Sequence, residues 1–148
     1  MLQILGEYDC TIDSKGRVKL PSLLLKQLAN SKLHSFVVNR GFEQCLILYP
    51  LPTWEKISEE INQLNQYEKK NRDFLRYFYR GASPVAADAA DRILIPNRLL
   101  EYAAVQKELV LFAYGDKIEI WAAEVHQKML DEQPVDFSNL AEEVLGKK

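Results

Sequence analysis

Asp13-Ser14-Lys15-Gly16-Arg17-Val18-Lys19-Leu20-Pro21 and Asp88-Ala89-Ala90-Asp91-Arg92-Ile93-Leu94-Ile95-Pro96 decide the fold between them. Each reads Asp-x-x-x-Arg, runs into a short strand and ends at a proline. Asp, Arg and Pro all recur after 75 residues. One offset shared by three chemically distinct positions marks an internal duplication. Asp13 can accept backbone N–H bonds two residues on, and Gly16 takes positive φ without cost. The same charged turn, built twice, can be offered twice to something that repeats.

Working outward, repeat one begins with a strand over 7–12, turns at 13–16 and returns over 17–20. Pro21 stops that strand and suits a helix start. Leu24, Leu25 and Leu28 follow at helical spacing. Strands are expected over 36–39 and 45–49, separated by a turn at 40–44. Repeat two keeps the order. It has a strand over 93–95, a helix with Leu99, Leu100, Ala103 and Ala104, a strand over 109–113, a turn at 114–116 and a strand over 117–121. Gly41 thus matches Gly115, and Tyr49 matches Trp121.

Helical segments flank these repeats. Trp54, Ile57, Ile61 and Leu64 share a face, with Thr53 as the expected N-cap. A second helix, over 71–80, carries Phe74, Tyr77 and Phe78 on one side and Arg72, Arg76 and Arg80 on another. Trp121, Val125 and Met129 begin a third. Phe137, Leu140, Ala141 and Val144 form a last one, stopped by Gly146. The division expected is repeat one over 7–54, an inter-repeat helical segment over 55–82, repeat two over 83–126 and a helical tail over 127–148. No low-complexity linker separates the halves. A unit of about 45 residues is marginal alone, so the expected fold is α+β: two β-turn-β-α-β-turn-β repeats closing one shared β-barrel, each lending the other a hairpin.

The hydrophobic fraction, 47%, excludes a disordered chain. No apolar run reaches the roughly 18 residues of a membrane span. Met1 to Glu7 lacks a basic region and a cleavable apolar stretch, so a cytosolic home is expected. Cys10 and Cys45 are too few for a disulfide framework or a zinc site. His34 and His126 have no second ligand at metal spacing. There is no Gly-rich phosphate loop and no nucleophile motif. These features predict no enzyme, cofactor, metal or small-molecule substrate. The net charge of −2 hides a gradient: residues 1–40 hold six cations against three acids, leaving −5 for the rest. Distribution matters more than the sum for a polyanion partner.

An Arg at the mouth of a turn can contact phosphate oxygens or grip guanine bidentately. The bland alternative is a charged hairpin with a solvated Arg, and the duplication counts against it. For Arg72, Arg76 and Arg80 the bland reading is preferred: a solvated helix side pairing with Glu59, Glu60 or Asp73.

Several motifs in order, Tyr8-x-x-Thr11-Ile12-Asp13-Ser14-Lys15-Gly16-Arg17-x-x-Leu20-Pro21, Arg40-Gly41-Phe42-Glu43-Gln44-Cys45-Leu46-x-Leu48-Tyr49-Pro50, Arg80-Gly81-Ala82 and Arg92-Ile93-Leu94-Ile95-Pro96, resemble the MraZ family over residues 5–130. The resemblance implies two tandem AbrB/SpoVT-type swapped-hairpin domains. It implies a transcriptional regulator of the division and cell-wall gene cluster, in the cytoplasm and nucleoid. Such a protein binds double-stranded DNA at direct repeats in its own promoter, as a ring-shaped homo-oligomer. Carried over by position, Arg17 and Arg92 contact DNA, Asp13 and Asp88 shape the turns, and Lys15 contacts phosphate. The chain departs from the family where glycine would precede Arg92: Asp91 stands there, and the second turn has no Lys. Unequal halves are therefore expected, with Arg17 the stronger contact. The alternative is an assembly or antitoxin-like module of the same fold that does not bind specific DNA.

Overall fold

The computed structural model describes residues 2–28, 34–132 and 136–146. Repeat one contributes β1 (Gly6–Thr11), β2 (Arg17–Lys19), α1 (Ser22–Gln27), β3 (Ser35–Arg40) and β4 (Leu46–Pro50). Then come α2 (Leu51–Asn62) and α3 (Lys69–Tyr79). Repeat two contributes β5 (Ser83–Ala86), β6 (Arg92–Leu94), α4 (Asn97–Tyr102), β7 (Glu108–Tyr114) and β8 (Lys117–Ala122), followed by α5 (Ala123–Asp131) and α6 (Phe137–Leu145). Pro21 and Pro96 hold extended backbone directly before α1 and α4, so each ends a strand and launches a helix.

The repeats interlock. The first strand of each pairs with the third strand of the other, β1 on β7 and β5 on β3. The fourth strands, β4 and β8, pair with one another, and so do the second strands, β2 and β6. The main sheet therefore runs β1-β7-β8-β4-β3-β5, a palindrome of equivalent strands. Val18 faces Ile93, its own counterpart 75 residues on. A pseudo-twofold axis passes between them, and again between Ile47 and Glu119.

The expected barrel does not form: among the described residues no sheet closes on itself. β2 and β6 make a separate two-stranded ribbon, and β1 and β5 are left as open edges of the six-stranded sheet. The reason is local. β2 and β6 are three residues long, and their hydrogen bonds go to each other across the axis. After the turn, β1 and β2 are linked only by the isolated bridge Ile12↔Val18. The first hairpin splays instead of continuing the ladder. Its counterpart β5–β6 has no ladder either.

The main core lies between the sheet and the ribbon. Val18, Ile93, Leu20, Ile95, Leu24 and Leu99 close on Leu46, Leu48, Leu111, Ile118 and Ile120, all at most 2% exposed. On the sheet's other face Cys45, Ile47, Tyr49 and Trp121 pack under α2 and α5. Thr53 is not an N-cap. Pro50 takes that place, and the Thr53 hydroxyl donates to the Asp116 carbonyl at 3.0 Å, tying α2 to the β7–β8 turn. Arg76 pairs with Asp73 at 3.6 Å on an exposed side of α3, as the solvated-face reading expects.

Because β1 and β5 find their ladders only on the other repeat, a fragment of residues 1–52 is expected to stay unfolded. Circular dichroism and a thermal scan check this, and a cooperative melt by the fragment would count against the interlock.

Candidate nucleic-acid interface

The two turns are built alike, atom for atom. Asp13 Oδ1 accepts from the backbone N–H of Lys15 and of Arg17, both at 2.9 Å, and Oδ2 accepts from Arg17 Nε at 2.7 Å. Asp88 Oδ1 accepts from Ala90 and Arg92 N–H, both at 2.9 Å, and Oδ2 accepts from Arg92 Nε at 3.0 Å. Asp13 N–H donates to the Arg17 carbonyl at 3.0 Å, and Asp88 N–H to that of Arg92 at 2.8 Å. One carboxylate thus folds the turn and aims the arginine. It holds Nε, and each guanidinium has further N–H donors with which it can meet an anion or a base edge.

Asp91 does not break this geometry. It stands at φ 61°, where Gly16 stands at φ 86°. Asp is among the few non-glycine residues that visit this region. In the first turn a Cβ on Gly16 would sit 3.2 Å from the Ile95 carbonyl, close enough that the neighbour would have to give. The carboxylate that holds Arg92 belongs to Asp88, the counterpart of the one that holds Arg17. What Asp91 changes is local charge.

Where the turns end, the ribbon begins. Ile95 N–H donates to the Gly16 carbonyl at 2.9 Å and Leu20 N–H to that of Asp91 at 2.8 Å, related by the pseudo-twofold axis. Antiparallel alternation then makes Arg17–Leu94 and Lys19–Arg92 the closely spaced, non-hydrogen-bonded pairs. Val18 and Ile93 point into the core, so Arg17, Lys19, Arg92 and Leu94 share the outer face. Three cations stand on six ribbon residues. Lys19 and Arg92 are directly opposed like charges, an arrangement that costs stability in a bare ribbon. A two-stranded ribbon also has the width to enter the major groove.

Lys19 is the residue that sequence reasoning missed. Its signal was the alternation Arg17-Val18-Lys19, which puts the two cations on one side of any strand. Its neighbour Arg92 lies 73 residues on and follows only from the β2–β6 register. Lys15 is exposed at the first turn's tip. The first turn and its end of the ribbon carry Lys15, Arg17 and Asp13, and the second carry Arg92 and Lys19 against Asp88 and Asp91. By these charges the first end is +1 and the second neutral.

The Asp13 carboxyl titrates below its ordinary range, chiefly because the Arg17 backbone N–H bonds its charged form. Asp88 is lowered in the same way by Arg92 N–H. A carboxylate with a depressed folded pKa contributes stability above its unfolded pKa and loses it as pH falls through the folded value. Asp13→Ala and Asp88→Ala should therefore melt below the parent at neutral pH. The gap should close on acidification past the usual Asp range. A gap unchanged between pH 7 and pH 2 in melting scans would show that the brackets do not act through ionised carboxylates.

The remaining sequence candidates do not join the site. Cys45 is buried under α2, and burial, with help from Glu119 and Glu43, pushes its thiol up to about 12, the opposite of a nucleophile. His126 is buried, with Nε2 3.8 Å from Glu7. Among the described residues no cluster of three or more His, Cys, Asp or Glu could hold a metal ion. No helix among them is long and apolar enough to cross a membrane.

Two interlocked repeats presenting a shared cationic ribbon define a protein that offers a surface for recognition. Comparison with known proteins gives the family. A family model described as "MraZ protein, putative antitoxin-like" matches twice, over residues 3–77 and 78–148. Proteins named Transcriptional regulator MraZ are similar along nearly the whole length. That of Flavobacterium psychrophilum is 44% identical over 99% of this chain and 94% of its own. That of Christiangramia forsetii is 41% identical over 99% and 95%, and that of Cytophaga hutchinsonii 37% over 95% and 93%. The chain belongs to the MraZ family of transcriptional regulators, and is not an enzyme.

Proposed function

We propose that the chain binds double-stranded DNA sequence-specifically through the outer face of the β2–β6 ribbon and its two turns. Arg17 and Arg92 read base edges or phosphates, Lys15 and Lys19 neutralise phosphates, and Asp13 and Asp88 hold the arginines. The observation that carries this is the matched pair of Asp–Arg brackets on one ribbon face. A structural turn needs no arginine aimed outward at the same place twice.

The family resemblance extends the proposal. The DNA is a set of direct repeats in the protein's own promoter, upstream of the division and cell-wall genes, and the protein works in the cytoplasm at the nucleoid as a ring-shaped homo-oligomer. Physical reasoning favours several copies. A chain of net charge −2 offers four cations on this face. Affinity for DNA grows with the number of phosphates neutralised. Several ribbons on one assembly turn modest contacts into useful affinity.

A footprint of the purified protein on the DNA upstream of its gene tests this. Regularly spaced protected elements, lost steeply as salt is raised, are expected. Protection without spacing would remove the direct repeats from the proposal. Binding only to protein partners, indifferent to salt, would favour the assembly or antitoxin-like module.

A further inference from the structure

The outer face of the ribbon has four positions, and one of them is apolar. Arg17 and Lys19 of β2 share that face with Arg92 and Leu94 of β6. The 75-residue offset matches Arg17 with Arg92 and Lys19 with Leu94. Where repeat one presents a second cation, repeat two exposes a leucine. A lone exposed leucine is ordinary on a protein surface. This one stands among three cations, at a place where its counterpart is a lysine able to neutralise a phosphate.

Leu94 lies directly opposite Arg17 in a non-hydrogen-bonded pair. The Cα atoms of such a pair stand about 4.5 Å apart. Leu94 also leans on the first turn, since a Cβ on Gly16 would lie 3.7 Å from Leu94 Cδ1. Arg17 is held against Asp13, with Nε 2.7 Å from Oδ2, and its side chain is 29% exposed. Leu94 is 56% exposed. The shorter side chain is the more open of the two, so a duplex laid on Arg17 meets Leu94 as well. Successive bases of a strand rise by about 3.4 Å. The two residues therefore address one base pair or two neighbouring ones.

A phosphate or a polar base edge covered by leucine would lose water and gain no hydrogen bond, which costs binding. The apolar group that a base edge offers is the C5-methyl of thymine, and it lies in the major groove alone. We infer that Leu94 packs on the 5-methyl group of a thymine within one base step of the base pair under Arg17, and so reads sequence beside that arginine. The inference rests on the proposed DNA contact of the ribbon and deepens it. It places the ribbon in the major groove. It also gives the DNA element a direction. The pseudo-twofold axis carries Leu94 onto Lys19, so the two ends of the ribbon ask for different bases.

The test uses the full chain in anisotropy titrations on the DNA upstream of its gene. In a set of duplexes each thymine in turn is replaced by deoxyuridine, which removes one methyl group and keeps every hydrogen bond. One replacement should weaken binding by the parent about fourfold, as loss of a single buried methyl does. Leu94→Ala should bind the thymine duplex less tightly than the parent and should no longer distinguish thymine from uracil there, so the two changes are not additive. Leu94→Lys should erase the distinction too, while steepening the salt slope by about 0.9, as a new phosphate contact does. Leu94 is exposed, so both variants should melt with the parent, which separates a lost contact from a lost fold. If no thymine is methyl-sensitive while Arg17→Ala still weakens binding, the leucine contact is overturned and the ribbon stays on the DNA. Sensitivity that persists in Leu94→Ala would overturn it as well. A parent that binds no duplex, or whose binding none of Arg17→Ala, Leu94→Ala and Leu94→Lys alters, would remove the ribbon reading and the leucine contact together.

Discussion

Arg17→Ala should lower affinity for the specific element by about 5- to 150-fold, the equivalent of about 1–3 kcal/mol for one bidentate base contact. Arg92→Ala should cost less. The brackets are equal, so geometry does not separate the two arginines. Charge does: Arg17 shares its end of the site with Lys15, whereas Arg92 shares its end with Asp91 as well as Lys19. Asp91 brings a negative charge towards the phosphates that Arg92 would approach. Lys19→Ala should behave differently from either, weakening binding to all sequences alike and lowering the salt slope by about 0.9, as a lost phosphate contact does. Asp91→Gly should narrow the gap between the halves, since it removes the charge and puts glycine where φ is positive. Anisotropy titrations on a short duplex, repeated across salt concentrations, decide these points. Equal losses for the two arginines would mean that local charge does not grade the contacts. No loss from either would remove the ribbon from the DNA altogether.

The turns were legible in the sequence because their chemistry is local. Asp13 accepts from an N–H two residues on, as an Asx turn must, and the spacing to Arg17 fits one carboxylate bridging backbone and side chain. The strands were legible for the same reason, in alternation ended by proline. What was not legible is non-local. Which strand pairs with which is settled by packing of the two repeats, so the interlock could be expected but not its register. The barrel failed on a detail of length: a three-residue strand has few ladder bonds, and pairing across the axis takes them. Thr53 was misplaced because Pro50 ends a strand and caps a helix at once, starting α2 earlier than a Thr cap would. Arg40 reads in the sequence as the first residue of a turn, but it ends β3, paired with Leu46, and binds the Tyr77 and Arg80 carbonyls at the end of α3, far along the chain. Lys19 was counted only as charge, because its role depends on Arg92 standing across from it.

Ile93→Ala should be strongly destabilising, and its effect should reach both repeats. Ile93 is fully buried against Val18 on the pseudo-twofold axis, with side chains of both repeats around it. Truncating a buried isoleucine to alanine costs about 2–5 kcal/mol, part transfer and part cavity. For a chain of this size that lowers the melting temperature by roughly 4–20 °C, at about 2–4 °C per kcal/mol. The cavity would open at the seam where the repeats meet, and neither repeat holds its first strand without the other. Melting should therefore remain one transition, with the calorimetric and van't Hoff enthalpies still equal. Leu94 is the control. It is the next residue on the same strand but faces outward at 56% exposure. Leu94→Ala should move stability by no more than about 0.5 kcal/mol, as an exposed substitution does. A pair of neighbours with opposite outcomes would follow from the pleat of β6 and from nothing else in the local sequence. Two separate transitions in Ile93→Ala would instead mean that repeat two can melt while repeat one stands, and the interlocked pairing would have to be abandoned.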